Sequence, residues 1–234
     1  MTLKLVTFDL DDTLWDNLVV IKEAVRQCYS WLLQNYPKLA DHYDIEGLDA
    51  LKNRFRELYP EFRHQVSRAR VIGMEIALEE AGYDREEVVA GAEAAFEIFS
   101  QWRRRIAYYP GVLDTLKYLY EHYTLAALTN GNIEMANLQI ERFFDFVLKA
   151  EDINSSKPDP LMYQLAMEQA GVTADEMLHI GDSPENDVLA AKQLGIRTVW
   201  FNPQDEPWTH DISPDYVIKS IPELRTIVTP MGLA

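Results

Sequence analysis

The sequence predicts an α/β protein, a Rossmann-like doubly wound parallel sheet with a helical domain inserted after its first strand. Three observations lead there. From about residue 109 onward, short apolar runs alternate with segments of helical spacing, the βα repeat that builds a parallel sheet. Between residues 15 and 107 apolar side chains recur only three or four apart, with no strand signal. Before that stretch, the buried-strand pattern Leu5-Val6-Thr7-Phe8 ends abruptly in Asp9, Asp11 and Asp12. Acids at the carboxyl end of a buried strand are costly unless they meet a cation or do chemistry, and that end is where open α/β sheets bind ligands.

Taken in order, the first strand is followed by Leu18, Ile21, Val25, Cys28, Leu32 and Tyr36, the apolar stripe of an amphipathic helix that stops before Pro37. Leu48, Leu51, Phe55 and Tyr59 predict a second helix ended by Pro60. A third runs from near His64 to Ala81 with Gly82 as its C-terminal cap, and a fourth carries Val88, Ala92, Ala95, Phe99 and Trp102. The aromatic residues of this region sit at helical spacing and are read as its own core. Arg103-Arg104-Arg105 is read as a solvated helix end. Residues 15–107 are therefore the insert, and residues 1–14 with 108–234 the core.

Within the core, a helix over Val112–Tyr120 precedes the strand Thr124–Thr129, which ends in Asn130-Gly131. A helix is predicted over Ile133–Arg142, then a short strand over Phe146–Leu148. The loop Asn154–Pro158 opens a helix over Leu161–Ala170. Strand Met177–Ile180 leads through Gly181-Asp182-Ser183 to a helix over Pro184–Leu194, with Pro184 suited to its first turn. Strands at Thr198–Phe201 and Tyr216–Ile218 complete the sheet, and the tail from Thr229 is expected to be loose.

Charge and cysteine usage narrow the function. A net charge of −16 disfavours nucleic acid and anionic membrane as partners. It also means that a phosphorylated ligand needs local positive potential from a metal, a lysine or helix N-termini. No run of about 18 apolar residues suggests a membrane span, and the first residues lack a secretory pattern. The single cysteine, Cys28, lies on a helical apolar stripe and is read as packing. It leaves no internal disulfide and suits a reducing, cytoplasmic setting.

Four loops at one sheet edge carry the chemistry-bearing residues: Asp9 and Asp11, Thr129-Asn130-Gly131, Lys157, and Asp182 with Asp187. This ordered set resembles the four motifs of the haloacid dehalogenase superfamily, over nearly the whole core. The helical insert between the first two motifs resembles the C1-capped subgroup, and Asp9-Leu10-Asp11-Asp12-Thr13-Leu14-Trp15-Asp16 resembles its flavin mononucleotide phosphatase branch. The resemblance implies a Mg²⁺-dependent phosphomonoester hydrolase acting on a small phosphorylated metabolite, with flavin mononucleotide or a ribityl phosphate as the first expectation. Sugar phosphates, phosphoglycolate and nucleotides remain alternatives, as do a mutase, a dehalogenase and a receiver-like phosphoprotein.

The roles it implies are chemically coherent. Asp9 would attack phosphorus and form an aspartyl-phosphate. Asp11 would start protonated, protonate the leaving alkoxide, then activate the hydrolytic water. Mg²⁺ would be held by Asp9, the main-chain carbonyl of Asp11 and Asp182, with Asp187 in the outer shell. Thr129, Asn130 and Gly131 would bind phosphoryl oxygens, and Lys157 would neutralise Asp9 and the developing charge. Trp15 is expected to touch substrate. His179, inside a strand, is read as structural.

Overall fold

The computed structural model describes residues 2–229. They divide into two compact units, one made of residues 2–16, 107–131 and 135–229, the other of residues 17–106 with 132–134. The chain passes into the helical unit two residues later than the pattern suggests and leaves it one residue earlier. Beyond these junctions, the short segment after Gly131 joins the helical unit.

The sheet of the first unit has strands β1 (Leu5–Phe8), β2 (Thr124–Thr129), β3 (Phe146–Lys149), β4 (Met177–Gly181), β5 (Arg197–Phe201) and β6 (Tyr216–Ile218). All pair in parallel, in the order β3-β2-β1-β4-β5-β6. This is the α/β class that the alternating pattern predicts. The central strands β1 and β4 are buried at every residue, as strands covered on both faces must be. The outermost strands β3 and β6 are half-buried or exposed over most of their length. Register fixes the functional edge. Phe8 of β1 lies opposite Ala127 of β2 and Ile180 of β4, so the residues that follow each strand emerge side by side.

The helical unit contains α1 (Asn17–Asn35), α2 (Ile45–Leu58), α3 (Val66–Glu80) and α4 (Arg85–Arg103). Its core is Leu32, Leu39, Leu78, Val88, Ala92 and Phe99 with their neighbours. Asp44 caps α2 by accepting the Gly47 N–H, and Asp84 and Glu87 form a reciprocal capping box on α4. The predicted aromatic core is present as ring pairs such as Tyr36–Tyr83 and Phe96–Phe99. Cys28 packs beside Met74, and burial pushes its thiol up to about 11, which makes it inert. Arg103 departs from the solvated reading: it is buried, and Arg105 covers the Trp102 ring at 3.7 Å. None of the described helices is long and apolar enough to cross a membrane.

Around the sheet lie α5 (Val112–Tyr120), α6 (Ala150–Ile153), α7 (Leu161–Ala170), α8 (Ala190–Gln193) and α9 (Leu224–Val228). The helix expected over residues 133–142 does not form. Ile133, Met135, Leu138 and Ile140 are buried one by one from an irregular segment. Asn137 adopts a left-handed conformation (φ 70°), and its N–H bonds the Glu141 carboxylate instead of a helical carbonyl. Only a 3₁₀ turn, Glu141–Phe143, follows. The helix expected over Pro184–Leu194 opens as a wider π-helical turn, Pro184–Leu189, before α8. Thr229 ends the described chain, and the rest of the tail expected to be loose lies outside the described residues.

Candidate active site

Asp9, Asp11, Thr129, Asn130, Gly131, Lys157, Asp182 and Asp187 line one cavity of about 170 Å³ at the carboxyl edge of the sheet, together with Ser183 and Asn186. Asp9 continues β1, its N–H bonding the Ile180 carbonyl at 2.8 Å, so its carboxylate stands at the strand end rather than in a free loop. Lys157 is buried, and its Nζ reaches Asp9 Oδ1 and Asp187 Oδ1, both at 2.6 Å. A lysine removed from water in this way keeps its charge only because it is paired twice. Burial opposes the ammonium, but the charges of Asp187 and Asp9 outweigh it and raise the Lys157 pKa.

Asn130 explains how that lysine is held. Its side chain donates to the Lys157 carbonyl (2.9 Å) and accepts from the Lys157 N–H (2.8 Å), a reciprocal clamp between two loops. Thr129 is fully buried, and its Oγ1 accepts the Gly131 N–H at 2.9 Å. A Cβ on Gly131 would overlap Asp11 Oδ2, so only glycine lets the Asp11 carboxyl lie against this loop.

Asp187 comes from the π-helical turn, where its N–H and that of Val188 both bond the Ser183 carbonyl. Its Oδ1 accepts from Lys157 and from His179 Nε2 (3.1 Å), and its Oδ2 accepts the Ser183 N–H (3.0 Å). Burial works against its charge, yet Lys157 and His179 hold it down at about 2. Gly181 has no room for a side chain because the Asp187 carboxylate occupies that space. Asp182 is less enclosed, and Thr13 Oγ1 donates to its Oδ1 at 3.1 Å. Burial first, then the Asp187 charge, push Asp182 up to about 7. Asp9 is also raised well above the usual carboxylate range, by burial and by Asp187 and Asp182, against the pull of Lys157.

Among the described residues, Asp9, Asp182 and Asp187 bring one carboxylate oxygen each within 4.8 Å of one another, the geometry of a possible cation site. The oxygens of Asp187 are already occupied by three donors, whereas Asp9 and Asp182 offer hard ligand atoms.

Trp15 does not meet its expectation. The residue is fully buried, and its Nε1 donates to Asp11 Oδ1 at 3.1 Å, so the ring offers no face to substrate. Several supporting residues were not assigned roles from the sequence. His179 is buried between Thr7 (Nδ1 to Oγ1, 2.9 Å) and Asp187, and burial lowers its pKa. Since a carboxylate only accepts, Nε2 carries the proton and Nδ1 accepts from Thr7. Trp200 Nε1 donates to the Asp182 carbonyl at 2.7 Å, fixing that loop from behind. Thr7 and His179 are cross-strand partners, a pairing that a polar residue in each of two buried strands hints at but cannot locate.

Residues 3–195 match the haloacid dehalogenase-like hydrolase family, and the chain belongs to that family. It is similar to the 5-amino-6-(5-phospho-D-ribitylamino)uracil phosphatase YigB of Escherichia coli, 37% identical over 227 residues and 95% of each chain. It is 28% identical to phosphoglycolate phosphatase 1 of Pseudomonas aeruginosa over 83% of this chain and 67% of that one. The crystal structure of a 2-haloacid dehalogenase from Pseudomonas syringae pv. tomato superposes with a TM-score of 0.93 at 37% identity, covering 98% of this chain and all of that one. With the fold and this kinship, the chain is an enzyme, a phosphatase of the haloacid dehalogenase-like type.

Proposed function

We propose that the protein is a Mg²⁺-dependent phosphomonoester hydrolase that works through an aspartyl-phosphate on Asp9. The observation that carries this reading is the placing of Asp9 and Asp11 on one cavity, with a buried lysine on the first and the phosphate loop against the second. Asp9 attacks phosphorus in line while Lys157 favours its charged form and compensates the entering phosphoryl oxygens. Asp11 gives its proton to the departing alkoxide and then takes one from the water that opens the acyl phosphate. Asn130 keeps Lys157 in place, and the Thr129–Gly131 turn shapes the phosphate end of the cavity.

The residues fit a Mg²⁺ ion. Three clustered carboxylates gather around one ammonium, and burial together with the neighbouring carboxylates raises Asp9 and Asp182, as expected where negative charge exceeds positive. Asp9, Asp182 and the Asp11 main-chain carbonyl would hold the ion, and Asp187 would act from the outer shell. When bound, it would supply positive charge to the phosphoryl oxygens. Its substrate is a small phosphorylated metabolite in a reducing compartment, the cytoplasm. The name of the E. coli relative favours a ribityl phosphate or flavin mononucleotide.

The resemblance to a 2-haloacid dehalogenase supports a second reading, displacement of halide by Asp9. That reaction leaves Asp11 and the acid cluster without a task, so we favour phosphate ester hydrolysis. The test is phosphate release from a panel holding flavin mononucleotide, a ribityl phosphate, phosphoglycolate and an aryl phosphate, with Mg²⁺ and with chelator. Mg²⁺-dependent release with preference for the ribityl compounds is expected. Even release across the panel removes the substrate assignment, and none from any ester removes the hydrolase reading.

A further inference from the structure

We propose that Trp15 is a positioning residue that holds the Asp11 carboxyl in the orientation from which it serves the leaving group. The inference rests on the hydrolase reading above and extends it to a residue that never meets substrate.

The loop that follows β1 is closed on itself. Asp12 takes a left-handed conformation (φ 62°), and the Leu14 N–H bonds the Leu10 carbonyl at 2.9 Å. Bridge pairing then ties the Trp15 main chain to Asp11 on one side and to Tyr108 on the other. The Tyr109 N–H bonds the Leu14 carbonyl at 2.9 Å, and the indole stands edge-on to the Tyr108 ring at 6.1 Å and 74°. A wholly buried side chain held this way has little freedom to turn, so its N–H is a fixed donor.

An indole N–H can only donate. Its partner, Asp11 Oδ1, must therefore present a lone pair. Held by that contact, the carboxyl turns Oδ2 the other way. That oxygen is the one that lies against Gly131, where a Cβ would overlap it, and Gly131 and Asp11 both line the cavity. The donor on one oxygen thus fixes the other against the phosphate loop. As the P–O bond breaks, its electron pair goes to the leaving oxygen, which receives the proton from the Asp11 carboxyl. The bond from Trp15 to the resulting carboxylate becomes charge-assisted and stronger, so the contact favours the state that proton delivery creates.

The substitution Trp15→Phe keeps an aromatic ring against Tyr108 and removes the N–H. The readout is kcat/KM, which reports the steps through loss of the leaving group. An alkyl phosphate, which needs its proton, should lose roughly ten- to a hundredfold, within the range of general acid catalysis. 4-Nitrophenyl phosphate, whose leaving group needs little help, should change by less than about threefold. In an Asp11→Asn background, Trp15→Phe should add no further loss on the alkyl ester, because its effect runs through Asp11. A second measurement needs no Trp15 variant. In NMR spectra of the whole protein, Asp11→Ala should move the Trp15 indole N–H resonance upfield and leave the other four indoles in place. Equal losses on both esters, no loss on either, or an unmoved Trp15 resonance overturns the proposal. If Asp11→Asn itself costs both esters equally, the general-acid reading fails, and the Trp15 role falls with it even though the resonance still reports the contact.

Discussion

Replacing Lys157 with Met tests the electrostatic centre of the site most directly. The substitution keeps an unbranched stem of similar length and deletes a buried ammonium that contacts Asp9 and Asp187 at 2.6 Å each. Asp187 is held at about 2 instead of its ordinary 3.8, with burial opposing and Lys157 the main cause of the depression. That depression corresponds to roughly 2 to 3 kcal/mol at neutral pH. The sign follows from the depression: this stabilisation is present above pH 3.8 and is lost as pH falls through about 2. Without the lysine, two buried carboxylates also face each other with no cation between them, and removing one partner of a buried pair costs about 3–5 kcal/mol. For a chain of this size about 1 kcal/mol moves Tm by 2–4 °C, so Lys157→Met should lower Tm by about 6–20 °C at pH 8 in chelator. Because burial raises Asp9, falling pH favours its protonation and relieves this repulsion, so the deficit should shrink toward pH 5. Thermal unfolding followed by circular dichroism across pH 5–8 measures this. A variant whose Tm stays within about 2 °C of the parent throughout, or whose deficit grows toward pH 5, refutes the reasoning.

Three further outcomes follow from the same geometry. Asp9→Asn should fold normally and lose at least about a thousandfold in phosphate release from every ester; retained turnover would remove Asp9 as nucleophile. Because Asp182 is pushed up to about 7, a proton competes with the cation there. The Mg²⁺ concentration for half-saturation, measured by calorimetry, should rise about tenfold per unit as pH falls below about 7, and a flat profile from pH 8 to 5.5 would contradict it. Gly181→Ala places a methyl group where the Asp187 carboxylate lies; it should cost about 1–3 kcal/mol in stability, and an unchanged melting curve would show that the loop yields.

The residues of the four loops were legible because each motif is short and its chemistry is local. Asp9 and Asp11 sit two apart at the end of an apolar run, and Lys157 stands in a turn next to a proline. What the spacing could not reach are the contacts that depend on strand register. Thr7 meets His179 only because β1 pairs with β4 in that alignment. Thr13 finds Asp182 across 169 residues, and Trp200 finds the Asp182 carbonyl across 18, by way of the neighbouring strand. Local chemistry also misled where two signals competed. Ile133, Leu138 and Ile140 resemble a helical stripe, but Asn137 takes a left-handed turn, and the segment gains its burial from irregular backbone. Trp15 is the reverse case: its closeness in sequence to Asp11 suggested a shared role, and the structure gives it one through a hydrogen bond and not through a substrate-facing surface.

The two relatives at 37% identity carry names for different reactions, so overall similarity does not decide between them. The chemistry of the cavity does. Halide is a good leaving group that departs as a stable anion, so its displacement from carbon by Asp9 calls for neither a proton donor nor a dication. Burying Asp182 and Asp187 beside the nucleophile would then be a desolvation cost without return. An alkoxide, in contrast, is a poor leaving group, and under the proposed mechanism each of these groups would have work in its departure: Asp11 as proton donor, Lys157 as counter-charge, Asp9 and Asp182 as oxygen ligands. With 2-chloropropionate, ion-selective measurement should detect no chloride release above background, with or without Mg²⁺, from enzyme that hydrolyses phosphate esters. Chloride release at a rate comparable with phosphate release would overturn this argument and assign Asp9 to carbon instead of phosphorus.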